Sequence, residues 1–167
     1  RGDFVEVVSC GGPARGVVDR PLRRESRESF RMVIAEDGKP ARTHYRILAR
    51  FEDGTSLVAC RIEHGRTHQI RVHMASIGHP IVGDRLYGPE AGPEEEAETR
   101  KAYKPDPVLK EGAGNGGKGR EDRPPLMLHA FRAVLRQPFS GEEIRIEAPL
   151  PEWAGNAGGL PGDLLIP

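Results

Sequence analysis

The 167-residue sequence predicts an α+β fold in which an antiparallel meander of strands feeds one short helix. Three observations carry that reading. Two acidic turns ending in glycine, Glu36-Asp37-Gly38 and Glu52-Asp53-Gly54, separate short runs rich in β-branched and aromatic residues, as hairpin connections do. Between Thr67 and Ile77 the period changes: Ile70, Met74 and Ile77 fall at i, i+4 and i+7, the apolar stripe of a helix. From Leu126 to Leu135 strand-like sequence returns.

Taken in order, Phe4 to Val8 is apolar and β-branched enough for a strand, which Gly11-Gly12-Pro13 ends. Gly16 to Leu22 reads as a turn with a short extended piece, and Arg23 to Glu28 as a charged loop. Phe30 to Ile34 forms the next strand. The first acidic turn leads into a longer one, Thr43 to Phe51, in which Tyr45, Ile47 and Ala49 alternate against His44, Arg46 and Leu48. The second turn leads into Ser56 to Ile62. Thr67 is the expected N-cap of the helix, Gly78 its left-handed stop, and Pro80 forbids continuation. Pro80 to Gly88 is a loop anchored by Ile81, Val82, Leu86 and Tyr87. Seven glycines and six prolines crowd residues 88 to 125, with the acid run Glu94-Glu95-Glu96, so a largely disordered insertion is expected at about 89–125. Gln137 to Glu142 turns, Ile144 to Ala148 is a closing strand, and the Gly- and Pro-rich tail, residues 154–167, is expected to fray.

The length suits one domain with a real core. No apolar run approaches the length of a membrane span. The chain opens on Arg1 without an early apolar region, so the expectation is a chain without a signal peptide that starts inside a longer reading frame or has been trimmed. Cys10 and Cys60 are too few for a disulfide framework or a zinc knuckle, which points to a reducing, cytoplasmic compartment, or an organelle in a eukaryote. Net charge is zero, which argues against a generic nucleic-acid binder. Yet residues 1–88 carry 15 Lys+Arg against 11 Asp+Glu, so basic charge gathers beside the helix. Arginine outnumbers lysine 20 to 5, which suits bidentate phosphate contacts and is equally what a GC-rich genome produces.

Arg71 is displaced by one residue from the stripe position Ile70, so its guanidinium leaves the core at the stripe's edge, where a rigid helix can present it to an anion. On the pattern alone a solvated surface arginine is the commoner outcome. The histidines fail as a metal set: His64 and His68 are four apart, but Gly65 interrupts them, no His-Glu-x-x-His occurs, and no thiolates cluster. Structural histidines bonded to backbone are expected instead. Gly112 to Lys118 has the spacing of a phosphate-binding loop, but Gly119 follows in place of Ser or Thr and no strand or apolar helix flanks it, so nucleotide binding is not expected there.

The run Gly65-Arg-Thr-His-Gln-Ile-Arg-Val-His-Met74, then Gly78-His-Pro-Ile-Val-Gly-Asp84, then Tyr87-Gly88, resembles the signature of the RluA-type (large ribosomal subunit type) RNA pseudouridine synthases. Gly16-Val-Val-Asp-Arg-Pro-Leu22, Gly38-Lys-Pro-Ala-Arg-Thr-His-Tyr45 and Leu126-Met-Leu-His-Ala130 resemble further motifs of that family, so the likeness covers about Phe4 to Trp153. The resemblance implies a pseudouridine synthase-like, mixed, mostly antiparallel sheet flanked by helices, present as an incomplete domain over residues 1–153. It implies isomerisation of uridine to pseudouridine in structured RNA, rRNA or tRNA, by a monomer without cofactor, metal or membrane. The family's nucleophilic aspartate lies in an Arg-Leu-Asp motif that this sequence does not contain, so the resemblance implies the C-terminal part of a catalytic domain, inactive alone.

Three pocket positions carry over from the family. Arg71 matches its basic residue, which pairs with the catalytic carboxylate and helps hold the flipped nucleotide. Leu128 matches its apolar pocket residue before His-Ala, and Phe4 stands near the place of its active-site Tyr, keeping base stacking without the hydroxyl. Arg66, Arg71 and Arg85 are the expected RNA contacts, whereas Asp19 and Asp84 correspond to structural turn positions. Replacing Arg71 by Ala is therefore expected to lower turnover with little loss of stability. The alternative is a synthase-derived RNA-binding module without catalysis.

Overall fold

The computed structural model describes the backbone of residues 2–8 and the full residues 14–89 and 124–154. The expected breaks at Gly11-Gly12-Pro13, most of the insertion with Gly112 to Lys118, and the tail beyond Ala154 lie outside the described residues. Eight strands are present among the described residues: β1 (Gly2–Val8), β2 (Arg15–Asp19), β3 (Leu22–Arg24), β4 (Met32–Ile34), β5 (Arg42–Arg50), β6 (Thr55–Ile62), β7 (Leu128–Arg136) and β8 (Glu143–Glu147). Helix α1 (Gln69–Ser76) follows β6, and a 3-10 turn, Glu152–Ala154, follows β8. Six strands form one sheet in the order β2-β5-β6-β1-β7-β8, while β3 and β4 form a separate ribbon. Every strand pairing described is antiparallel. The α+β expectation therefore holds, with α1 the one α-helix among the described residues. No described helix is long and apolar enough to cross a membrane.

Strand β6 is the spine. Its run Ser56-Leu-Val-Ala-Cys60 is buried throughout, so it shows no alternation and reads instead as a continuous apolar stretch covered on both faces. Val58 and Cys60 turn to one face and meet Ile70, Met74 and Ile81, with Tyr45, Ile47 and Leu128 packed around them. Leu57 and Ala59 turn to the other and meet Ala154, Phe131 and Trp153. The packed unit thus extends through Ala154, which is fully buried. A third cluster, Leu22, Ala41 and Val72 with Met32 and Tyr87 beside it, glues the β3–β4 ribbon to the side of α1 away from the sheet core.

The structure changes four local expectations. Gly16 to Asp19 is not a turn but lies in β2, paired along its length with β5. The Glu36-Asp37-Gly38 turn forms, with the Gly38 N–H donating to the Ala35 carbonyl at 2.9 Å, but it does not join partners: β4 pairs with β3, and Lys39 bridges to Leu22. In β5 the alternation breaks after Ile47, because a bulge shifts the register so that Ile47 faces Val58 but Ala49 faces Leu57. Ala49 therefore joins the second core rather than sharing a face with Tyr45 and Ile47. Finally, the N-cap of α1 is His68, at φ 52°, and not Thr67. The cap is built without a hydroxyl: the Arg66 N–H donates to Gln69 Oε1 at 3.1 Å, while the Gln69 N–H donates back to the Arg66 carbonyl at 3.2 Å. At the other end Gly78 is left-handed at φ 82°, as its position predicts. Its N–H reaches the Ala75 carbonyl and that of His79 the Met74 carbonyl, which closes the last turn as a Schellman motif.

Candidate functional site

Helix α1 is set by buried polar groups as well as by its stripe. Gln69 Nε2 donates to the Arg42 carbonyl (2.9 Å) and to Thr43 Oγ1 (3.1 Å), and Thr43 Oγ1 lies 2.9 Å from His73 Nδ1. His73 Nε2 is 2.9 Å from the Arg20 carbonyl, an atom that only accepts, so Nε2 carries the proton and Nδ1 accepts from Thr43. Burial pushes the His73 imidazole below its usual pKa and keeps that neutral tautomer. The chain of bonds locks α1 to β5 and to the residue after β2. This is the backbone-bonded structural histidine expected from the failed metal spacing. Among the described residues no group of three His, Cys, Asp or Glu is placed to hold a metal ion.

With the helix fixed, Arg71 leaves it toward the Pro80–Gly88 loop and meets an anion there. Its Nε and Nη2 bond Asp84 Oδ2 and Oδ1 at 2.8 and 2.7 Å, a bidentate fork. Asp84 Oδ1 also accepts from the N–H groups of Leu86 (2.9 Å) and Tyr87 (3.1 Å), so one carboxylate folds the loop and orients the arginine. The Asp84 side chain is wholly buried, whereas that of Arg71 keeps 15% of its surface. The guanidinium carbon stands 5.1 Å from the centre of the Tyr87 ring. Tyr87 is itself tied down: its hydroxyl accepts the Met32 N–H at 2.8 Å and lies within hydrogen-bond distance, 2.9 Å, of His68 Nδ1. Burial, and then the charge of Arg71, hold the His68 pKa at about 4, so this ring is neutral and can accept. Burial likewise pushes the Tyr87 phenol up, which keeps its proton in place.

The exposed edge of Arg71 lines an open cavity of about 230 Å³, shared with Gly83, Arg85, Leu86 and the segment Pro124 to Leu126. Gly83, at φ 74°, is required there: a Cβ would run into the Pro125 carbonyl. The Met127 N–H donates to the Val82 carbonyl at 3.0 Å and holds the segment in place. The predicted site residues distribute as follows. Arg71 and Arg85 share the cavity. Arg66 stands at the helix start, its Nε donating to the Pro40 carbonyl at 3.0 Å. Leu128 packs on the first core, beside Met127, rather than on the cavity wall. Phe4 lies on β1, where the backbone register sets it opposite Ala59 and His129, and sets Val5 opposite Val58 and Leu128. Sequence reasoning missed Tyr87 as the aromatic support of Arg71 and missed the Gln69–Thr43–His73 network. The four-residue spacing of Gln69 and His73 on one helix was the available signal.

A model of the RNA pseudouridylate synthase family matches residues 7–76, from β1 to the end of α1. The ribosomal large subunit pseudouridine synthase D of Nitrosomonas europaea is 41% identical over 137 residues, 82% of this chain and 34% of that protein. The protein of the same name from Xanthomonas campestris pv. campestris is 41% identical over 154 residues, 89% of this chain and 40% of that one. The chain belongs to the RNA pseudouridine synthase family. It spans about a third to two fifths of the length of these curated relatives. Among solved structures, human RNA pseudouridylate synthase domain containing 1 superposes with a TM-score of 0.63 at 25% identity, over 92% of this chain and 56% of that one. The synthase motifs thus acquire physical roles: the Lys-Pro-Ala-Arg-Thr strand supplies Thr43, the Gln-Ile-Arg-Val-His helix supplies both the anchors and Arg71, and the Gly-Asp-Arg-Leu-Tyr loop supplies the acid and ring that hold Arg71.

Proposed function

We propose that this chain is the C-terminal part of the catalytic domain of an RNA pseudouridine synthase that isomerises uridine to pseudouridine in structured RNA, rRNA or tRNA, in the cytoplasm. The reaction breaks the bond between base and ribose, turns the base and rejoins it through carbon, so no outside group is added and no cofactor is called for. A carboxylate acts as nucleophile or base at such a centre, and the target base is first flipped out of its stack. The observation that supports this reading most directly is Arg71, held by Asp84 at the wall of an open cavity with one face to solvent. Asp84 occupies Nε and Nη2, so Nη1 is the nitrogen left to meet a second carboxylate or a phosphate. Asp84 itself, buried and engaged by four hydrogen bonds, is a scaffold and not the nucleophile. No Arg-Leu-Asp occurs in the sequence, and the reading places the nucleophile outside this chain. Leu128, on the sheet face that carries α1, is the apolar pocket residue in this reading, and Arg66, Arg71 and Arg85 face the RNA, whereas the register sets Phe4 opposite Ala59 and His129, out of step with Val58 and Leu128, and takes it out of the pocket.

The experiment is a tritium-release assay on RNA labelled at C5 of uridine, run on this chain and on the same chain extended to include an Arg-Leu-Asp segment. Release from the extended form alone is the expected result. Retention of RNA by both with release from neither would favour the alternative, a binding module without catalysis.

A further inference from the structure

The nine residues from Arg23 to Arg31 hold four arginines against two glutamates, and the family-like motifs give them no role. They build the β3–β4 ribbon, which stands apart from the six-stranded sheet. Its base is fixed, because Leu22 and Met32 pack with Ala41, Val72 and Tyr87. Alternation along β3 puts Arg24 on the same face as Leu22, and the register sets Arg24 opposite Met32, whose N–H is bonded to the Tyr87 hydroxyl. One step beyond the core, that face therefore changes from apolar to cationic. Next to Met32, the Arg31 guanidinium lies 5.9 Å from the centre of the Tyr87 ring that also supports Arg71. Arg71 and Arg85 continue the row into the cavity.

The row is not neutralised at its outer end. Arg23 is paired with Asp37 at 2.9 Å, and Arg71 with Asp84, but Arg24 and Arg27 are exposed and have no carboxylate partner among the described residues. The Glu25 carboxylate accepts from the Ser29 hydroxyl at 3.0 Å. The tip is also ordered: the Glu25 N–H donates to the Arg31 carbonyl at 2.9 Å, the Ser29 N–H to Ser26 Oγ at 3.1 Å, and the Arg31 N–H to Ser29 Oγ at 3.0 Å. Cations on a closed loop lose less backbone freedom on binding than cations on a coil. A line of guanidinium groups running from a cavity to an exposed tip is complementary to a polyanion that threads past the cavity.

Resting on the RNA-synthase reading, we propose that the β3–β4 ribbon is an RNA-backbone clamp, in which Arg24 and Arg27 extend the row of Arg31, Arg71 and Arg85 and bind phosphates flanking the nucleotide at the cavity. The test is the affinity of the 167-residue chain for a fluorescein-labelled hairpin RNA of large-subunit ribosomal sequence, by anisotropy across a salt series. For Arg24→Ala/Arg27→Ala the salt slope should shrink by about 1.4 to 1.8, with affinity at 0.1 M salt falling on the order of tenfold or more. Arg24→Lys/Arg27→Lys, which keeps the charge, should retain most of the slope, and Arg145→Ala on the outer strand β8 should bind within about twofold of wild type. Wild-type binding with an unchanged slope and affinity in the alanine pair overturns the clamp alone. No RNA binding by the wild-type chain overturns the RNA-synthase reading and the clamp with it.

Discussion

Arg71 keeps its place in the cleft because Asp84 does, and this makes it a structural cation as well as a candidate active-site one. Truncating it would leave a wholly buried carboxylate with two N–H donors and no counter-charge. Arg71→Ala should therefore destabilise the fold by about 3–5 kcal/mol, as removal of one member of a buried pair does. That replaces the small loss expected from the helix pattern alone, which showed the guanidinium leaving the core and not what it would meet. Urea denaturation reads the difference, and Arg71→Ala/Asp84→Ala, which removes both charges, should recover part of it. An unchanged midpoint for Arg71→Ala would mean that the fork does not exist in solution. A loss of turnover in Arg71→Ala is consequently interpretable only beside its stability. His68 offers an independent reading of the same cluster. Its folded pKa, about 4, lies below the usual 6.5, so the unfolded chain takes up a proton first as pH falls. The stability that depends on the neutral ring is complete above about pH 6.5, declines from there to about pH 4, and changes no further below. Burial of His73 acts in the same direction. An NMR titration should show the His68 ring with a midpoint near 4, and a midpoint near 6.5 would place it in solvent, away from Tyr87.

At the scale of elements, α1 is held as firmly by hydrogen bonds as by its apolar stripe. Thr43→Val keeps the volume at a fully buried site but leaves His73 Nδ1 without its donor and Gln69 without one acceptor. The expected cost is about 1–3 kcal/mol for each buried group left unsatisfied. Ile70→Ala, in the first core, should cost on the order of 2–5 kcal/mol through the cavity it opens. Equal midpoints for Thr43→Val and wild type in urea would show that the network is dispensable. These elements also show what the sequence can and cannot announce. The C-terminus of α1 was legible because a single residue type, Gly78, supplies the left-handed turn. Its N-terminus was not, because the cap is a reciprocal bond between Arg66 and Gln69 and no hydroxyl takes part. The network with Thr43 was invisible for a related reason: its members are 26 to 30 residues apart, and periodicity reports faces rather than partners. The bulge in β5 was hidden because alternation runs on through Leu48, and only the pairing with β6 decides which residue is left over.

Across the whole molecule the sheet has two working faces, and they are unequally covered. The face under α1 carries the first core and positions the helix that bears Arg71. The opposite face is closed over β6 by Phe131, Trp153 and Ala154. In the β7–β8 pairing Ala133 opposes Ile146 and Leu135 opposes Ile144, so these residues share one face of the outer strands, beyond an irregularity in β7 where the register with β1 passes from Ala130 to Arg132 over Phe131. There Leu135, Ile144 and Ile146 are 53%, 44% and 54% exposed. Since β8 is the outer strand among the described residues, its backbone edge adjoins an apolar surface, which is the arrangement that recruits other chains. Because these side chains already meet water, Ile144→Thr/Ile146→Thr should change stability by no more than about 1 kcal/mol. Leu57→Ala, at a fully buried position in the second core, should by contrast cost about 2–5 kcal/mol. The threonine pair should also scatter less light at high concentration, because threonine keeps the strand's β-branched shape while adding a hydroxyl to the surface. A melting temperature many degrees below wild type for that pair would mean that the outer isoleucines are buried in the protein as it exists in solution.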